Sequence, residues 1–186
     1  MKRTLRCALI LATLAPLTLP RPARAEAGEL AVSLGAGAWV GAATVGDREI
    51  VTTAPTGLVS LRYGLDDAWQ LGGSVAVGVG LSGDHDPGLL GLAHLEAYYF
   101  LDVITWVLWA VAGVGVLARD AHPDALAGTD SALGLDASAV VGLGLDYRPE
   151  RTWSVGGVVR YELVLTDLDR TAPTLHAALA WTLYFE

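Results

Sequence analysis

Residues 132–147 read Ala-Leu-Gly-Leu-Asp-Ala-Ser-Ala-Val-Val-Gly-Leu-Gly-Leu-Asp-Tyr. The odd positions carry Leu133, Leu135, Ala137, Ala139, Val141, Leu143, Leu145 and Tyr147. The even positions carry Ala132, Gly134, Asp136, Ser138, Val140, Gly142, Gly144 and Asp146. One face is continuously apolar and the other is small or polar. Strand side chains alternate between two faces, so this stretch is a ribbon between two different surroundings.

The same contrast returns in seven further segments, at 30–41, 57–64, 69–82, 89–100, 105–118, 153–165 and 174–185. In the third of these, Trp69, Leu71, Val75, Val77, Val79 and Leu81 oppose Gln70, Gly72, Ser74, Ala76, Gly78, Gly80 and Ser82. Each segment is near the 9–11 residues that a tilted strand needs to cross a bilayer. The connectors alternate in length. Long polar ones fall at 42–56, 83–88, 119–131 and 166–173, and short ones at 65–68, 101–104 and 148–152. Asp66-Asp67 and Arg148-Pro149-Glu150 supply turn chemistry. Short turns at one end and long loops at the other are the pattern of a transmembrane barrel, with the long loops outside the cell.

The first 25 residues read as a secretory leader. Lys2, Arg3 and Arg6 precede the apolar run Ala8–Leu19, and Ala23-Arg24-Ala25 forms an A-x-A cleavage site. The barrel domain then spans 26–186. An uncleaved anchor fits less well, because the apolar run is short. Cys7 is the one cysteine and lies in the leader, so the mature chain has no disulfide or thiolate metal site. Without the leader the chain keeps seven arginines, no lysine and twenty acids, a formal charge of −13. That balance argues against nucleic acid as a partner.

An apolar stripe on every strand of an exported chain has to be covered. A soluble barrel would turn it inward. Here the opposite face is rich in glycine and small residues, which suits the narrow interior of eight strands, while leucine and valine suit lipid. Lipid also requires every backbone group to be paired, so the sheet closes. The fold class expected is therefore all-β: a closed, antiparallel, eight-stranded, up-and-down transmembrane barrel. Val103–Ala118 carries no charge, yet it is shorter than the ~20 residues of a membrane helix and holds several β-branched residues. It reads as a fifth strand with Trp106, Leu108, Ala110, Ala112, Val114 and Val116 outward.

The aromatic residues give an independent sign. Tyr63, Trp69, Tyr99, Trp106, Tyr147, Trp153 and Phe185 all fall on the outward face, beside short turns or the C-terminus. Such a girdle marks the periplasmic membrane surface. Trp39 is expected to mark the opposite rim.

The alternation and the ending Ala180-Trp181-Thr182-Leu183-Tyr184-Phe185 resemble the small eight-stranded outer-membrane barrels: the transmembrane domain of OmpA, OmpX and the OmpW-like proteins. The resemblance covers residues 28–186, and Glu186 after Phe185 departs from the class ending by one residue. It implies an outer-membrane location and recognition of the C-terminal strand by the outer-membrane assembly machinery. It also implies contact with membrane lipid and lipopolysaccharide and, for the OmpW-like members, passage or binding of small apolar solutes.

Parity sends seven ionisable residues inward: Arg62, His94, Glu96, Asp136, Arg160, Glu162 and His176. Arg62 and Glu96 are expected in the periplasmic half, and Asp136, Arg160, Glu162 and His176 in the outer half. Buried charges demand partners, so a plug of paired side chains is the favoured reading over a gated path. No cofactor is expected, and the barrel reads as a monomer. A Ser-His-acid relay of the kind lipid A deacylases carry needs mutual hydrogen-bond reach on the lipid face, and His94 and His176 both point the other way. Catalysis is therefore not expected. Asp84-His85-Asp86 and Asp120-Ala121-His122-Pro123-Asp124 have the residue types of a cation site, but acidic loops commonly carry no ligand. They fit better as groups sharing the divalent cations that bridge lipopolysaccharide, with Arg48, Arg119 and Arg170 meeting its phosphates.

Overall fold

The computed structural model describes residues 27–45, 48–82, 85–103, 105–120, 133–166 and 174–186. Side chains are described for 27–41, 51–81, 88–101, 105–118, 134–166 and 174–186. Eight strands follow one another: β1 (Leu30–Val45), β2 (Arg48–Gly64), β3 (Trp69–Ser82), β4 (His85–Val103), β5 (Trp106–Asp120), β6 (Leu133–Glu150), β7 (Trp153–Val164) and β8 (Thr174–Phe185). Each pairs antiparallel with its sequence neighbours, and β1 pairs with β8 to close the barrel. The fold class read from the alternation is the fold observed.

Register fixes the dimensions. Following hydrogen-bonded partners from Leu30 through Tyr63, Leu71, Ala97, Ala112, Val141, Tyr161 and Leu175 returns to Val40, ten residues along β1. That stagger over eight strands tilts them by about 40° and sets a backbone radius of about 8 Å. A lumen of this radius is just wide enough for its own side chains to fill.

The alternation is kept on every strand. Leu34, Leu71, Leu95, Val114, Leu143, Val159 and Leu179 are exposed, whereas Ser33, Ser74, His94, Leu117, Val140, Arg160 and His176 are buried. Val103–Ala118 becomes the end of β4, a short turn and most of β5, with the outward set expected of it. At the β2–β3 turn the Asp66 carboxylate accepts the N–H groups of Ala68 and Trp69, both at 2.8 Å. This local bond lets two charged residues close a tight connection.

Three expectations need correction. The strands run from 12 to 19 residues, longer than the bilayer minimum. The connectors expected at 42–56 and 83–88 are largely strand: β1 continues to Val45 and β2 starts at Arg48 and carries Pro55, while β3 reaches Ser82 and β4 starts at His85. Polar residues pair through their backbones as well as apolar ones do, so a hairpin can continue past its apolar stripe. On the β3 side the ladder skips Ala54 and Pro55 between the pairs Thr53–Leu81 and Thr56–Gly78, consistent with the missing N–H of proline. The third correction is Trp39, which does not mark an outer rim. It is buried in the lumen, with its indole against Gly41. Its odd position in β1 puts it opposite Val40, and a lone indole fits inside where glycine leaves room.

The interior is more apolar than its small-and-polar sequence face suggests. Leu58, Leu90, Leu92, Tyr98, Phe100, Val107, Trp109, Val111, Leu117, Val158 and Val164 are all buried there with Trp39.

Candidate functional site: the barrel lumen

The lumen is layered. At the short-turn end, Glu29 just before β1 meets Arg148 at the end of β6, Nη2 to Oε1 2.5 Å. The Arg148 guanidinium lies 3.7 Å over the ring of Tyr184 and also donates to the carbonyl of Arg151. Tyr184 Oη and Ser154 Oγ are 3.0 Å apart. A register shift between Tyr147 and Glu150 puts a bulge at this turn, and bulges re-aim side chains. These groups form a floor.

Above the floor stands Arg62. Its Nη2 donates to Ser33 Oγ at 3.3 Å and Thr182 Oγ1 at 3.5 Å, and Tyr98, Phe100 and Trp109 surround its guanidinium. Higher still, Arg160 reaches across from β7 to β4. Its Nη1 donates to Glu96 Oε1 at 2.7 Å and to Ser74 Oγ at 2.9 Å. Ser74 Oγ donates to the same Glu96 oxygen at 2.9 Å, and Tyr98 Oη donates to Glu96 Oε2. One carboxylate thus receives an arginine, a serine and a tyrosine, which is how a charge is kept inside a protein.

The two histidines lie toward the long-loop end. His94 Nε2 is 3.0 Å from Ser138 Oγ, and His176 Nε2 is 2.9 Å from Thr56 Oγ1. Glu162 is buried beside them, with Thr174 as its cross-strand neighbour. Beyond this layer Ala54, Leu90, Leu117 and Val164 form an apolar collar.

Six of the seven ionisable residues expected inside are buried there: Arg62, His94, Glu96, Arg160, Glu162 and His176. Glu96 and Arg160 join directly, although sequence position put them in opposite halves; the length of the arginine side chain spans the difference. Asp136 does not join. It stands partly exposed at the upper end of β6 and accepts from Thr166 Oγ1 at 2.6 Å. Parity gives the facing of a residue but not its distance from water, and Asp136 is near the strand end.

Sequence reasoning left out Glu29, Tyr98, Phe100, Trp109, Asp146 and Arg148. Tyr98, Phe100, Trp109 and Asp146 all have inward parity, which is the signal that could find them. Glu29 stands one residue before β1, and Arg148 lies near the end of β6 within the turn expected at 148–152.

The seven aromatics of the expected girdle all point outward near the short-turn end, Trp153 being the most covered. Trp69 packs on Tyr99 and Trp106 on Tyr147, each pair with ring centres 5.0 Å apart. The side chains of the loop candidates Asp84, His85, Asp86, Asp120, His122 and Asp124, and of Arg48, Arg119 and Arg170, lie outside the described residues.

A cavity of about 20 Å³, lined by Arg62, Arg160, Tyr98, Trp109 and Asp146 among others, holds roughly one water.

This architecture is that of the small eight-stranded outer-membrane barrels. Neisserial surface protein A superposes with a TM-score of 0.65 at 12% identity, over 85% of this chain and 99% of that one. Ail of Yersinia pestis, solved with the heparin analogue sucrose octasulfate, gives 0.57 at 16% identity, over 85% and 99%. OprG of Pseudomonas aeruginosa gives 0.54 at 11% identity, over 87% and 97%. No protein-family model and no curated protein sequence matches the chain.

Proposed function

We propose that this chain is an integral outer-membrane barrel with a structural and surface-interaction role, exported by a leader at 1–25 and plugged by its own side chains. The observation that carries the reading is the bond from Arg160 to Glu96 across the middle of the lumen, at 2.7 Å and buried. A cavity of about 20 Å³ beside it, room for about one water, supports the plugged reading. Exposed leucines and valines on all eight strands support lipid as the neighbour outside. The outward aromatics at the short-turn end support a periplasmic girdle. Membrane lipid and lipopolysaccharide are the partners, with the assembly machinery reading the C-terminal strand of a monomer.

The heparin analogue bound by Ail does not transfer readily. A mature chain of seven arginines and twenty acids is a poor match for a polysulfated ligand. Catalysis is not part of the reading either. Ser138 and His94 are within hydrogen-bond distance, but both are buried, away from any lipid substrate.

A second reading, a narrow path or binding site for small apolar solutes, draws on the apolar collar of Ala54, Leu90, Leu117 and Val164. Planar-bilayer recording separates the two. The plugged barrel gives no stable conductance steps, and Arg160→Ala leaves the trace unchanged. Stable steps in the wild type, or a large increase in the variant, overturn the plug. Lipid A mass after expression checks the enzyme alternative, and loss or gain of one acyl chain would refute the non-catalytic reading.

A further inference from the structure

Three aromatic rings surround one guanidinium in the short-turn half of the lumen. Arg62 Cζ is 5.3 Å from the ring centre of Tyr98, 5.6 Å from that of Phe100 and 5.7 Å from that of Trp109. The rings come from the adjacent strands β4 and β5 and touch one another, with centres 5.5 to 6.4 Å apart. All are buried. Aromatic faces attract cations, most strongly where water is excluded. The buried carboxylate of Asp146 lines the same small cavity as Arg62, Tyr98 and Trp109. Ring faces with a carboxylate are the chemistry that recognises a cation of delocalised or shielded charge.

Besides the rings, Arg62 is met by neutral hydroxyls, by Tyr184 and, without a direct ion pair, by the Asp146 carboxylate. Its hydrogen bonds to Ser33 and Thr182 are long, 3.3 and 3.5 Å, and its Nε has no hydrogen-bond partner. The other buried arginine, Arg160, has the fitted carboxylate at 2.7 Å. A barrel needing only filler here would be served by leucine or methionine, without the cost of desolvating a charge. The backbone also makes way for the cage. A Cβ on Gly144 would stand 2.1 Å from the Trp109 ring, so only glycine lets that indole lie where it does.

We propose that Tyr98, Phe100, Trp109 and Asp146 form a binding site for a guanidinium or alkylammonium cation, filled in the closed barrel by the tethered side chain of Arg62. The site is thus one the chain ligates itself. The inference uses only the lumen geometry and does not depend on the role proposed for the whole barrel.

The test is rescue of a vacated site. Arg62→Ala, purified in detergent, is melted with increasing methylguanidinium in the millimolar range. Equal concentrations of urea and of sodium chloride serve as controls. The variant is expected to melt below the wild type and to regain several degrees, saturably, with methylguanidinium alone. Adding Trp109→Leu is expected to abolish the gain, and the wild type, its site already filled, shows none. If Arg62→Ala does not fold unaided, the refolding yield with and without methylguanidinium becomes the measurement. Failure of the cation to raise stability or yield overturns the proposal, and so does an equal effect from urea or sodium chloride. Neither readout involves conductance, so this test and that of the plug fail separately.

Discussion

Arg160 and Glu96 stand on strands that are not neighbours, and their bond crosses the lumen. Removing one partner leaves the other charged, buried and unmatched, which costs roughly 3–5 kcal/mol. Glu96→Leu and Arg160→Met are each expected to melt well below the wild type. The double variant Glu96→Leu/Arg160→Met recovers most of the loss, because an apolar pair leaves no orphaned charge. Thermal unfolding in detergent, followed by the gel mobility of folded and unfolded forms, measures all three. A double variant no more stable than the worse single one would speak against electrostatic pairing. Glycine is tested in the same way. Gly144→Ala drives a methyl into the Trp109 ring, and overpacking of that kind costs about 1–3 kcal/mol. Gly57→Ala faces open space and serves as the control, with no loss expected.

At the scale of elements, the floor ties the end of β6 to the start of β1, with Tyr184 of β8 between them. It therefore braces the seam that closes the barrel. A charge-assisted bond near the lumen mouth contributes on the order of 1–2 kcal/mol. Glu29→Gln and Arg148→Gln are each expected to lower the melting temperature by that measure. Their double variant should lose less than the two losses added, and a strictly additive result would show that the pair is not coupled. This floor is also where the sequence was least legible. Strand identity and facing follow from period two, so alternation alone puts Arg62, His94, Glu96, Arg160, Glu162 and His176 inside. Glu29 precedes β1 by one residue and Arg148 lies in the last turnward residues of β6, where the sequence reads as turn. Residues 42–56 were misread for a related reason. Their polarity resembles a loop, while strand pairing there depends on the backbone of a hairpin partner that no local pattern reveals. For Trp39 the odd position in β1, and not the indole's usual preference for a rim, decides the facing. Three-dimensional neighbours such as the ring cage around Arg62 depend on register, and a single strand carries no information about it.

For the whole molecule, the decisive quantity is the medium outside the wall. Leu143 is exposed on β6, between Gly142 and Gly144 of the inward face. On a soluble protein an exposed leucine can become arginine with little effect, within about 0.5 kcal/mol. In a bilayer the same change near the midplane of a barrel costs about 2–4 kcal/mol, falling toward zero at the membrane surfaces. Leu143→Arg, refolded into lipid vesicles and titrated with denaturant, is expected to lose stability in that range. Leu65→Arg, in the exposed β2–β3 turn, should lose almost none. A depth-dependent penalty of this kind has no source in water, since both leucines are exposed to a comparable degree. Equal and negligible losses at the two positions would mean that solvent, and not hydrocarbon, borders the apolar stripe. The closed eight-stranded fold would stand, while its placement in the outer membrane would have to be given up.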